Sequence, residues 1–219
     1  MVVAIDGPAG VGKSTVARTC AAQAGFLYIN SGNFYRAVTL AVLDRGADPG
    51  APASVLETAR RSRMELVDGR LHLDGRCVED RLHSDAVDAW VAPHSAFGGV
   101  RDIVNARLRQ IAEGRDAVVE GRDIGTVVFP AAEVKIYLDA DEATRAARRH
   151  EQGVSGMSLE QIQKAISIRD TTDKDKPTGR LAAAPDAIPI DTSHLTIDEV
   201  CERVRKAILV SKNIPGDIR

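Results

Sequence analysis

Apolar and polar positions alternate between two periods along most of the chain. Val2-Val3-Ala4-Ile5 is a short continuous apolar run ending in Asp6, the pattern of a strand buried on both faces. Residues 16–24 read as the helix that follows. Phe26-Leu27-Tyr28-Ile29 reads as a second buried strand, ended by Asn30-Ser31-Gly32, a turn and helix N-cap signal. A helix is predicted over 33–45, where spacing by three and four puts Tyr35, Val38 and Val42 on one face. Gly46-Ala47-Asp48-Pro49-Gly50 stops it. A further helix is predicted near 53–62.

The period then shortens. Residues 64–67 and 70–74 flank Asp68-Gly69, a hairpin turn signal, and 75–78 would add a third strand. Helical spacing returns near 84–92 and 100–113. Another buried strand is predicted over 116–119, leading into Glu120-Gly121-Arg122-Asp123-Ile124-Gly125, and another over 134–138, ended by Asp139-Ala140-Asp141. A helix over 142–151 carries Arg145, Arg148 and Arg149 and is broken by Gln152-Gly153-Val154-Ser155-Gly156. Ser158-x-x-Gln161 is a capping box that opens a helix running toward Asp173. The last strand falls at 187–190, where Pro189 predicts an edge position. Thr196-Ile197-Asp198-Glu199 opens a terminal helix reaching about residue 211.

About five strands alternating with helices predict a doubly wound α/β fold with a parallel core sheet, and the local antiparallel strands look like an insertion in it. Ligands of such sheets sit at the carboxyl ends of the strands. The segments following the strand ends are therefore the ones to search for chemistry.

The segment after the first strand carries the clearest chemistry. Gly7-Pro8-Ala9-Gly10-Val11-Gly12-Lys13-Ser14-Thr15 fits G-x-x-x-x-G-K-[ST] at every fixed position, between a strand and a helix. Its glycines let backbone approach a polyphosphate, and the loop amides and helix N-terminus face the anion. Lys13 reaches the β- and γ-phosphates, and Ser14 offers a hydroxyl to Mg²⁺. The stretch predicts binding of a nucleoside triphosphate. Arg145, Arg148, Arg149, Arg169, Lys174, Lys176 and Arg180 could spread positive charge over a transferred phosphoryl group, with the Gly-broken segment as a lid that excludes water. No N-K-x-D base-reading motif is present, which argues against a GTPase.

Composition narrows this further. Hydrophobic residues make up 44% and charged residues 27%, as in a soluble globular protein. A net charge of −2 gives no global attraction to nucleic acid or anionic membrane, and 4% aromatic residues offer few platforms for stacking a single strand. The cysteines, Cys20, Cys77 and Cys201, are expected to be reduced and mostly buried in a cytoplasmic protein. The first strand and its loop leave no room for a signal peptide, and no apolar run nears a membrane span. His72, Cys77 and His83 match no zinc spacing. His94, His150 and His194 are expected at the surface, and Trp90 as a packing anchor.

Taken together, Gly7–Thr15, Ser31-Gly32-Asn33-Phe34-Tyr35-Arg36, the run from Glu120 to Pro130, Arg169-Asp170-x-x-Asp173 and Asp186-Ala187-x-x-Ile190-Asp191-Thr192 resemble the bacterial cytidylate kinases. The resemblance spans essentially the whole chain, and G-R-D-I-G-T-V-V-F-P is its most specific piece. It implies a P-loop three-layer α/β fold with a five-stranded parallel core sheet, a small antiparallel β/helical insertion that binds the monophosphate, and a short lid. The implied boundaries are a core of about 1–32, 114–150 and 170–219, an insertion of about 33–113 and a lid of about 150–160, all within one kinase domain.

The implied reaction moves the γ-phosphoryl of ATP to CMP and dCMP, with Mg²⁺, in a monomer. Position by position, Arg101 and Asp123 would face the cytosine. Arg36, Arg122 and Lys176 would hold the acceptor phosphate, with Ser31 and Tyr35 nearby, and Arg169 and Asp173 would meet the sugar. Lys13, Arg122 and a lid arginine, Arg145 or Arg149, would act on the phosphoryl group. A carboxylate at Asp123 suits the exocyclic amine of cytosine and repels the carbonyl oxygen of uracil; its other reading is a partner of Arg122. Two positions depart from the family. Ala92 stands where a serine is usual, with Ser95 one turn on, and Lys176 stands where an arginine is usual, with Arg180 four residues on. Other readings are a P-loop kinase for UMP or a nucleotide-binding regulator without turnover.

Overall fold

In the computed structural model the described residues are 1–151, 157–176 and 178–212. Strand β1 (Val2–Asp6) leads into helix α1 (Lys13–Ala24), followed by β2 (Leu27–Asn30), α2 (Ser31–Asp44) and α3 (Pro52–Arg61). A small sheet of β3 (Met64–Val67), β4 (Arg70–Leu73) and β5 (Arg76–Cys77) comes next, then α4 (Asp85–Ala96) and α5 (Gly98–Ala112). The chain continues through β6 (Ala117–Gly121), β7 (Val134–Asp139), α6 (Glu142–Glu151), α7 (Leu159–Asp175), β8 (Ile188–Asp191) and α8 (Ile197–Ser211). It divides into two compact units, one of Met1–Tyr28 with Arg115–Arg219 and one of Ile29–Gly114.

The larger sheet runs in the order β2-β6-β1-β7-β8. The pairs β1·β6, β1·β7 and β7·β8 are parallel, with Asp6 opposite Gly121 and Tyr137, and Asp139 opposite Asp191. Their carboxyl ends are thus level. Val3, Ile5, Val118, Ile136, Leu138 and Ile190 pack from these strands against Val16, Ala17, Cys20 and Ala21 of α1 and Val200, Cys201, Val204 and Ile208 of α8. The helix residues recur at i, i+4 and i+8, one stripe facing the sheet. This dry core fixes the axis of α1, and therefore the direction of the loop before it. Pro189 lies in the edge strand β8, where a missing amide is tolerated.

In the second unit α2 is the central helix, with Phe34, Ala37, Val38, Leu40, Ala41 and Val42 buried. It starts at Ser31 rather than 33, because the Asn30 side chain accepts from the Asn33 amide and caps it two residues early. The hairpin forms about Asp68-Gly69, both at positive φ, and the expected third strand shrinks to two residues. Helix α4 runs on through Pro93 to Ala96, past the expected stop at 92; Ala89, whose carbonyl Pro93 cannot serve, is exposed.

His94 corrects an expectation: it is fully buried, not at the surface. Nδ1 lies 2.9 Å from the Thr39 hydroxyl, Nε2 is 3.0 Å from the Pro49 carbonyl, and the ring stacks on Trp90. Burial lowers its pKa, so the ring is held neutral. His150 and His194 are exposed. Cys20 and Cys201 are buried against each other between α1 and α8, whereas Cys77 is exposed.

Candidate active site

The loop Gly7–Gly12 turns between β1 and α1 through residues that only glycine serves well. A Cβ on Gly7 would stand 2.1 Å from the Leu138 carbonyl oxygen, so the loop can cross the end of β7 only without a side chain there. Gly12 has φ +88° and its missing Cβ faces open space at the helix N-terminus. Pro8, Val11 and Lys13 are buried, Ala9 and Gly10 half-buried, and Ser14 and Thr15 exposed. Lys13 folds back to donate to the Pro8 carbonyl at 2.6 Å. Burial, with Arg122 and Arg169 close by, drives its pKa well down, while Glu120 and Asp6 oppose that. A cation so short of negative charge is set to receive an anion. Ser14 presents a hard oxygen to solvent on the first turn of α1, which suits Mg²⁺, an ion that keeps waters and phosphate oxygens as most of its shell.

The loop is braced from α6 and the end of β8. Arg145, one of the two arginines expected at the lid, is buried: Nη1 donates to the Ala9 carbonyl at 3.0 Å and to Asp170 at 2.5 Å, and Nε donates to the Ala140 carbonyl. Arg148 donates to the Thr192 carbonyl and hydroxyl, and that hydroxyl donates to the Val11 carbonyl at 3.5 Å. Arg149 is exposed. The segment expected to break α6, from Gln152 to Gly156, lies outside the described residues, and with it the middle of the expected lid. The capping box at Ser158 and Gln161 forms and opens α7.

β6 runs on through Glu120 and Gly121, which the periodicity assigns to a loop, because both are buried beside β1. A π-helical turn, Ile124–Val128, then follows Asp123. Such turns cluster at functional sites. Asp123 is buried. Arg122 donates from Nε to Asp173 at 2.9 Å, and Lys176 donates to the other oxygen of the same carboxylate at 2.7 Å. Burial works to raise Asp173, but Arg122 and Lys176 hold it below the usual carboxylate range. Two cations expected on the acceptor phosphate, Arg122 and Lys176, thus share one counter-ion expected on the sugar. Arg169 and Arg180 are exposed.

In the second unit the expected acceptor residues lie on α2, α4 and α5. Ser31 and Tyr35 are buried, and the Tyr35 hydroxyl donates to Asn105 at 3.3 Å. Arg36 donates to the Leu82 carbonyl at 2.9 Å and pairs with the exposed Asp88 at 2.7 Å. Arg101 is buried, donates to the Ser95 carbonyl at 3.2 Å and lies over the Tyr35 ring. Ala92 is exposed, and the Ser95 hydroxyl donates to its carbonyl at 2.9 Å.

Four buried residues of the first unit belong to this setting although the sequence assigns them no role: Asp6, Glu120, Asp170 and Thr192. Glu120 accepts from the Tyr28 hydroxyl at 2.6 Å. Only their position at or just past strand and motif ends could have marked them, since their partners lie far along the chain. No helix among the described residues is long and apolar enough to cross a membrane.

The geometry can be set against known proteins. The cytidylate kinase family model matches residues 3–209. A protein of Limosilactobacillus reuteri named cytidylate kinase is 44% identical over 214 residues, 94% of each chain. One of the same name from Caldanaerobacter subterraneus is 41% identical, covering 99% of this chain and 97% of its own. Among solved structures, a gluconokinase from Sinorhizobium meliloti shares the fold at 14% identity, with a TM-score of 0.51 over 97% of this chain and 94% of that one.

Proposed function

The chain belongs to the cytidylate kinase family, and from that premise we propose that it transfers the γ-phosphoryl of ATP to CMP and dCMP, giving ADP and the diphosphates. The observation that carries the reading is Lys13, a buried ammonium at a phosphate-binding loop, with Arg122 and Arg169 adding positive charge around it. An arriving triphosphate supplies the missing negative charge. The loop amides and the α1 N-terminus hold its phosphates, and Ser14 would hold Mg²⁺, which would supply neutralising charge to the phosphates.

The acceptor is already an anionic phosphate oxygen, so the protein needs no strong base. Its work is alignment and charge neutralisation. Lys13 and Arg122 meet the transferred group, and Arg145 keeps the loop in shape through Ala9. Arg36, Arg122 and Lys176 hold the acceptor phosphate, with Ser31 and Tyr35 beside it. Arg101 and Asp123 read the cytosine, and Arg169 and Asp173 meet the sugar. Binding of the acceptor takes Arg122 and Lys176 from Asp173, an exchange of one anion for another. A regulator without turnover is not favoured, since the family match runs from residue 3 to 209 and Lys13 is in place.

The test is ADP release with ATP–Mg²⁺ and CMP, dCMP, UMP or AMP, on wild type and Asp123→Ala. CMP and dCMP are expected to turn over far faster than UMP. The variant should lose roughly 10–100-fold in kcat/KM for CMP, the worth of one specific base contact. UMP turnover equal to that of CMP would defeat the base assignment, and no turnover with any acceptor would defeat the reaction.

A further inference from the structure

The turn after Asp123 opens with two buried amides. The first N–H groups of a helical turn have no earlier carbonyl to bind, and Ile124 and Gly125 are both buried, so their amides need an acceptor in the interior. Asp6, 118 residues away, supplies it. Oδ1 accepts from the Ile124 amide at 2.8 Å and Oδ2 from the Gly125 amide at 2.7 Å. The fit is close: a Cβ on Gly125 would lie 3.4 Å from Oδ2 and 3.3 Å from the Lys135 stem. The far side of the turn is closed by the Asp123 carbonyl, which accepts from Val127 and Val128 at 2.8 and 3.2 Å. Asp123 is therefore held between this turn and β6, whose last residue, Gly121, lies opposite Asp6 itself.

We infer that Asp6 is a positioning residue for base selection: by accepting both amides it fixes the backbone at Asp123, and with it the carboxylate that takes the cytosine amine. This rests on the base-reading role of Asp123 proposed above. A carboxylate suits the task because both oxygens accept; an amide side chain turns one acceptor into a donor facing a donor.

Protonation does the same. The groups facing Asp6 are Lys13 on α1, Asp123 before the turn and Tyr137 on β7. Burial raises Asp6 against the pull of its two amides, and the carboxyl is pushed up to about 6. A proton on either oxygen releases one amide.

The experiment is the ratio of kcat/KM for CMP to that for UMP, from about pH 8 to about pH 5.5, across the value at which Asp6 charges. Both substrates carry the same phosphate, so its titration cancels. In the wild type the ratio should hold above about pH 7 and fall about threefold by about pH 5.5, where about three-quarters of Asp6 carries the proton and each protonated molecule lacks one charge-assisted hydrogen bond worth about tenfold. In Asp6→Asn it should start about tenfold lower and stay flat. A variant that slows both substrates equally and keeps the wild-type ratio has lost only structure, and overturns the inference. So does a wild-type ratio constant across the range, a result that needs no folded variant. A wild type with no preference for CMP at any pH overturns the base-reading role and this inference together, and is distinguished because it shows at high pH without any substitution.

Discussion

In the first unit Arg122, Arg145 and Lys176 pair with buried carboxylates; in the second Arg36 and Arg101 meet carbonyls, a ring face and an exposed carboxylate. Arg145 and Asp170 pair with side chains only 7% and 12% exposed, and Arg122, Asp173 and Lys176 form a second partly buried cluster. Lys13, Asp6 and Asp173 all titrate away from their ordinary values. In the second unit Arg36 leans on a carbonyl and on Asp88, half of whose side chain is exposed, and Arg101 on a carbonyl and a ring face. Charges in a dry setting are strong and costly to leave unpaired, whereas a wet pair exchanges partners at little cost. The first unit is built as a rigid cradle for phosphates that arrive charged. In the second unit Arg36 has a pair whose carboxylate already faces water.

The sharpest way to break that contrast is Arg145→Ala. It strands the Asp170 carboxylate in the interior and frees the Ala9 carbonyl, so unfolding should become easier by about 3–5 kcal/mol, with most activity lost. Asp170 is the telling partner, because its Oδ1 already lacks a hydrogen bond among the described residues. Arg149→Ala, at an exposed position on the same helix, should change stability by less than about 0.5 kcal/mol. Urea unfolding of both variants checks this; equal effects would mean that the burial of Arg145 carries no weight.

Arg36→Ala should come next in size. It should raise KM for CMP about tenfold with a stability loss under about 1 kcal/mol, since the carboxylate it leaves behind, Asp88, is half exposed and is taken up by water. A large loss of stability there would make the second unit as rigid as the first.

The smallest effect concerns His94, the one buried imidazole of the second unit. Its folded pKa lies below the ordinary value, so its contribution to stability is whole above about pH 6.5 and is lost as pH falls toward the folded value, where the unfolded chain takes the proton first. Wild type should therefore lose more stability than His94→Gln between about pH 7 and about pH 5. An unchanged difference between the two proteins would place the proton elsewhere.

What the sequence reveals follows the same division of local from distant causes. The alternating strands and helices, the Asp-Gly turn, the capping box at Ser158 and Gln161 and the phosphate loop are set by residues within a few positions of one another. They could be read directly, down to the edge position of the strand carrying Pro189. Asp6 reads only as the end of a strand, because the amides it serves come 118 residues later. Arg145 reads as one of two possible lid arginines, because the Ala9 carbonyl that it serves is 136 residues back. His94 reads as surface for the same reason: Thr39 and Pro49, which enclose it, belong to an earlier helix and the turn after it. The π-helical turn has no periodic signature over its five residues. Burial of a charge is decided by the fold, and the identity of the residue alone does not reveal it.

The most direct test of the whole account is a ³¹P NMR time course of the protein with ATP–Mg²⁺ and CMP. The CMP resonance should give way to the paired resonances of CDP as ADP appears, with little inorganic phosphate, because the γ-phosphoryl goes to the acceptor and not to water. Inorganic phosphate accumulating while CMP stays unchanged would contradict the account, since it would leave a nucleotide hydrolase in place of a kinase.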